Sequence, residues 1–123
     1  MKWLCLAFGG ALGTISRYAL SGVVYRVLGT QFPLGTLTVN LLGCFLIGFL
    51  AVVSEEKFFL NPHTRVLLMV GFCGAFTTFS TFIFETAHLM RDGETLRAFV
   101  NVMASVILGF LVFRTGILIG ELI

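Results

Sequence analysis

Four long apolar stretches, at about residues 3–25, 33–53, 66–90 and 98–120, leave this chain almost nothing else to fold with. Each approaches or exceeds the roughly 20 residues that an α-helix needs to cross the hydrocarbon of a bilayer. Inside lipid the backbone must satisfy its own polar groups, so helices are the form such stretches take. The segments between them, 26–32, 54–65 and 91–97, are short and hold most of the charges. They read as turns at the bilayer surface rather than as linkers between domains. With 58% hydrophobic and 11% charged residues in a chain of 123, too little polar surface exists to clothe a soluble domain. The expectation is an all-α integral membrane protein, one four-helix transmembrane domain over residues 1–123, with the lipid bilayer as its surroundings.

Lys2 precedes a short apolar run, but the apolar stretch continues through Val27 with no A-x-A pattern, which fits a retained helix better than a cleaved signal. Cys5, Cys44 and Cys73 fall inside the expected spans without C-x-x-C spacing, so they read as small packed side chains. No phosphate loop, H-E-x-x-H, G-x-S-x-G or clustered His/Cys/Asp set occurs, which argues against an enzyme, and nothing calls for a nucleic-acid partner.

Charge placement bears on orientation. With both termini and the 54–65 loop on one side of the membrane, that side holds Lys2, Lys57 and Arg65, and the other holds Arg26, Arg91 and Arg97. Because an excess of Lys and Arg on the cytoplasmic side sets topology, a balanced chain has no strong preference and is able to insert both ways. If both orientations form, an antiparallel two-fold dimer is the natural closed assembly.

Small residues at i, i+4, Gly9 with Gly13 and Gly116 with Gly120, allow close helix approach. Polar groups inside the spans say more, since each is costly in hydrocarbon and tends to face protein or water. They include Arg17, Asn40, the hydroxyls of 77–81, Glu85, Asn101, Ser105 and Arg114. Asn40 lies deep enough to need a partner or a ligand, and its amide can donate to an anion.

The stretch GFCGAFTTFSTF, residues 71–82, concentrates this pattern. On one continuous helix Phe79 and Phe82 share a face, with Phe76 beside them. Aromatic edges are electropositive and attract an anion weakly, which suits permeation. The same rings also suit ordinary helix packing, and the hydroxyls can bond back to their own helix. Gly71 and Gly74 before Thr77-Thr78 also mark a plausible helix break, whose freed carbonyls could coordinate a cation.

Taken with GGALGTISRY (9–18) and PLGTLTVNLLG (33–43), that stretch resembles the Fluc/CrcB family of fluoride channels, in motif order and over essentially the whole length. The resemblance implies four spans per subunit with the third broken, an antiparallel dual-topology homodimer, and passive export of fluoride across the bacterial inner membrane, conferring fluoride resistance. It implies a fluoride pathway at Asn40, Phe79, Phe82, Ser80, Thr81, Ser105 and Glu85, the last at a vestibule. It further implies a structural sodium ion held at the dimer interface by backbone carbonyls of Gly74 and Thr77, with Arg17 structural or in a vestibule. Ala75 and Thr14 stand where glycine and alanine are common in the family. The rival reading is a small dual-topology proton-coupled multidrug exporter. Its chemistry needs an acid deep in the first span, and no carboxylate precedes Glu55. Glu85 would have to serve.

Overall fold

A computed structural model describes all 123 residues, and its regular elements are all helical. Helix α1 runs Lys2–Leu28 and stops at Gly29, whose φ of 87° is the left-handed conformation that glycine takes without a Cβ penalty. Helix α2, Leu34–Ala51, starts directly after Pro33 and continues through a wider-wound turn at Val52–Glu56. Helix α3 spans 62–76. It opens with Asn61, whose side-chain oxygen accepts the Thr64 N–H at 2.8 Å, and with Pro62 at the first helical position, where no N–H is needed. Its middle, Val66–Cys73, is π-wound. Helix α4 is Phe79–Arg91 and helix α5 is Thr95–Leu122. Asp92 and Gly93 make the turn between them, with Gly93 at φ 79°.

Between α3 and α4, Thr77 (φ −89°, ψ 157°) and Thr78 (φ −149°, ψ 117°) are extended. Two helices therefore meet end to end, separated by two residues.

Leu34–Glu56, Pro62–Arg91 and Thr95–Leu122 are long and apolar enough to cross a membrane. At 27 residues, α1 is about 40 Å long, ample for a hydrocarbon core of about 30 Å. It falls short of the other three in hydropathy, because Arg17 and several Gly, Thr and Ser residues dilute its Leu and Phe. Its helical turns also carry past the expected span ends, as do those of the other helices: α1 reaches Leu28, and the 91–97 segment shrinks to a turn of three residues before Thr95.

Glycine sets which helices touch. A Cβ at Gly9 or Gly13 would fall on the Leu67 or Phe72 carbonyl, so α1 can approach α3 backbone to backbone only because both are glycine. Gly48 and Gly116 do the same for α2 against α5, facing the Phe113 and Phe45 carbonyls, and Gly120 sits against Val52. Both glycine pairs expected from the sequence thus lie at helix crossings. Phe76 is buried and stacks on Phe72, ring centroids 5.4 Å apart. Asn101, only 1% exposed, donates to the Thr86 hydroxyl at 2.9 Å, and that hydroxyl donates to the Phe82 carbonyl at 2.7 Å. The pair fastens α4 to α5.

Adjacent glycines offer a test of the crossing. Gly9→Ala is expected to destabilise the protein by about 1–3 kcal/mol through overpacking. Gly10→Ala, whose Cβ would meet nothing within 4 Å, is expected to be neutral or slightly stabilising through helix propensity. Thermal unfolding of the two variants in detergent should separate them; equal melting temperatures would contradict the packing.

Candidate functional site

The two extended threonines would leave the facing helix ends with unpaired backbone groups, which are expensive away from water. The chain answers each with a specific partner. Asn40 from α2 donates its amide Nδ2 to the Thr78 carbonyl at 3.0 Å and accepts the Thr78 N–H on Oδ1 at 2.8 Å. A side-chain amide offers a donor and an acceptor side by side without any change of protonation. The last turn of α3 is closed by Thr77, whose N–H and hydroxyl both donate to the Cys73 carbonyl at 3.1 and 3.0 Å. Arg17 from α1 donates through Nε to the Ala75 carbonyl at 3.1 Å, a cation at a helix C-terminus where the macrodipole is negative. The Thr78 hydroxyl caps α4, accepting the Thr81 N–H at 3.3 Å. The Thr77 carbonyl accepts no hydrogen bond from the chain.

A cavity of about 460 Å³ opens beside this junction. Asn40, Gly74, Thr77, Phe79, Phe82 and Ser105 line it, and none of its 13 lining residues carries a formal charge. The Ser105 hydroxyl is buried and has no hydrogen-bond partner in the protein. Phe79 and Phe82 are tilted at 49° with centroids 5.8 Å apart, so they do not stack face to face. Their situations differ sharply. Phe82 is 8% exposed and Phe79 75%. Phe76 is not beside them, as a continuous helix would place it: the extended pair turns the chain, and Phe76 packs against Phe72 instead. Ser80 is exposed, and neither it nor Thr81 lines the cavity. Thr81 is occupied locally, accepting the Thr78 hydroxyl at 3.1 Å.

Glu85, less than two turns beyond Phe79 on α4, borders a second cavity of about 410 Å³ together with Tyr25, Gln31, His88 and Asp92. Its carboxylate is gripped on both oxygens. Thr36 donates its hydroxyl to Oε1 at 2.6 Å, and Tyr25 donates its phenol to Oε2 at 2.9 Å. Neither residue was expected from the sequence. Thr36 stands four residues before Asn40 and so on the same face of α2, a spacing that could have pointed to it. Tyr25 gave no signal, because nothing local says that the end of α1 meets α4.

The fold and site define a multi-pass helical membrane protein in which side chains from α1 and α2 satisfy the junction of two other helices and hold one carboxylate. The sequence profile of the family described as "CrcB-like protein, Camphor Resistance (CrcB)" matches residues 4–117, and the chain belongs to that family. Among its relatives, a protein of Solidesulfovibrio magneticus named fluoride-specific ion channel FluC is 48% identical over 118 residues, covering 96% of this chain and 94% of that one. Proteins of the same name from Dehalococcoides mccartyi and Nitrosococcus oceani are 46% and 44% identical, covering 98% and 100% of this chain and 92% and 97% of theirs.

If Asn40 satisfies the junction, Asn40→Ala strands two backbone groups, each costing about 1–3 kcal/mol when buried. The expected result is a lowered melting temperature together with faster deuterium exchange at the Thr78 amide. Asn40→Asp should not restore stability, since an ionised carboxylate has no donor for the Thr78 carbonyl. Unchanged exchange at Thr78 in Asn40→Ala would contradict the bonding.

Proposed function

We propose that the protein is a fluoride-selective ion channel that exports fluoride passively across the bacterial inner membrane and so confers fluoride resistance. One observation carries this beyond family membership: the cavity at the helix junction is lined by donors and aromatic rings and by no formal charge. A small anion entering it would meet the free N–H of the Asn40 amide and the tilted Phe79 and Phe82 rings, whose edges are electropositive, with the partnerless Ser105 hydroxyl buried in the wall behind them. Such contacts are weak enough to release the ion again. Asn40 keeps one amide hydrogen for this purpose, because its other hydrogen and its oxygen are already committed to Thr78. Ser80 and Thr81 form a polar track from there toward a vestibule, which Glu85 borders. The chain acts as a transporter rather than an enzyme.

The working unit is an antiparallel dual-topology homodimer, supported by the three-against-three balance of basic residues and by the exposed Phe79 ring at the open cavity. In this reading α3 and α4 together are one broken third span, supported by the extended backbone of Thr77 and Thr78. The Gly74 and Thr77 carbonyls of both subunits would hold a structural sodium ion at the dimer interface. The residues fit such an ion: the Thr77 carbonyl accepts no hydrogen bond, and a Cβ at Gly74 would meet nothing within 4 Å, so its backbone is open to a neighbour. Bound there, sodium would supply fixed positive charge at the junction. Arg17 is structural, held at the Ala75 carbonyl.

Two variants reconstituted in liposomes test the assignment. Phe79→Ile is expected to cut fluoride efflux at least tenfold, about 1.4 kcal/mol in barrier height, with the assembly intact by size-exclusion chromatography. Glu85→Gln is expected to keep fluoride efflux, whereas a proton-coupled exporter would lose transport with its only membrane carboxylate. Unchanged efflux in Phe79→Ile would remove that ring from the route.

A further inference from the structure

Tyr25 does more than pack. Its ring lies directly over Gly35, where any Cβ would collide with the ring and with the Ser21 carbonyl, so the start of α2 is shaped to receive it. Its hydroxyl oxygen accepts the Thr36 N–H at 3.3 Å. That N–H belongs to the first turn of α2, where no helical carbonyl is available to it. Accepting there polarises the phenol, whose single hydrogen points at Glu85 Oε2 at 2.9 Å. The Thr36 hydroxyl spends its own hydrogen on Oε1 at 2.6 Å. With both hydrogens so placed, the 3.3 Å contact between the two hydroxyls is a neighbour contact rather than a third bond. The order of donation is thus Thr36 N–H to Tyr25, and Tyr25 and Thr36 hydroxyls to the two carboxylate oxygens.

From this we infer that Tyr25 is a positioning residue: with Thr36 it clips the Glu85 carboxylate against α1 and α2 and keeps that negative charge from swinging across the mouth of the anion route. The inference rests on the proposed channel reading for its consequence, though not for its geometry. A carboxylate that loses one of two donors gains freedom to rotate and stands as a mobile negative charge before an incoming anion. Hydrogen bonds to charged groups are among the stronger ones, so the loss is felt.

The test is a double-mutant cycle on the full-length protein in liposomes, with Tyr25→Phe, Glu85→Gln and the pair. Tyr25→Phe keeps the ring over Gly35 and removes only the hydroxyl. Fluoride efflux is expected to fall severalfold in Tyr25→Phe, and adding the same change to Glu85→Gln should have no further effect. In parallel, the Glu85 carboxylate stretch, assigned in the infrared as the band lost in Glu85→Gln, should shift in Tyr25→Phe. An equal fall of efflux in both backgrounds would make Tyr25 a packing residue and overturn the proposal, as would an unshifted band. If the wild-type protein passes no fluoride, the channel reading fails by itself, and the infrared shift still decides whether the clip exists.

Discussion

Asn40 clasping the backbone of Thr78 is the interaction on which the rest depends. Two extended residues between α3 and α4 leave an N–H and a carbonyl without helical partners at membrane depth, and one side chain from a neighbouring helix satisfies both, at 2.8 and 3.0 Å. Without that clasp the Thr78 N–H and carbonyl would have no partner in the chain. With it, α4 starts afresh, Thr78 becomes its cap, and Phe79 and Phe82 leave the line of Phe76. Arg17 acts on the other side of the junction, occupying the Ala75 carbonyl that the end of α3 leaves free.

The glycine crossings explain why Asn40 and Arg17 can reach. Gly9 and Gly13 bring α1 into backbone contact with α3, which sets Arg17 over the last turn of α3. A Cβ at Gly43 would strike the Thr77 side chain, so α2 passes the junction closely enough for an asparagine, whose side chain is short, to bridge it. Small residues thus act here as positioning elements for polar ones. The same economy recurs at the Glu85 clip, where Gly35 makes room for the Tyr25 ring.

Much of this was legible from residue order. Long apolar stretches gave the helices, because period and length are local properties, and the glycine pairs pointed to crossings that the structure contains. Asn40 was recognisable as an amide inside a span in need of a partner, but its partner was not. The clasp joins residues 38 positions apart, and a single sequence carries no record of which backbone group a side chain will meet. The placement of Phe76 went astray for a related reason: helical spacing was extended across residues that are not helical. Tyr25 and Thr36 were missed because their role exists only once α1, α2 and α4 converge. Ser80 and Thr81, adjacent in sequence to the cavity residues, do not line the cavity, because the side chains of successive helical residues point in different directions.

The proposed function, supported by family membership and an uncharged cavity, makes one central physical claim, that this protein passes fluoride in preference to chloride. The most direct measurement is efflux from liposomes carrying the purified wild-type protein, with a potassium ionophore present to relieve the opposing voltage. Fluoride-loaded and chloride-loaded vesicles are compared at equal protein density. The account predicts rapid loss of fluoride with chloride retained. Retention of both ions by demonstrably folded protein, or loss of both at equal rates, would contradict it.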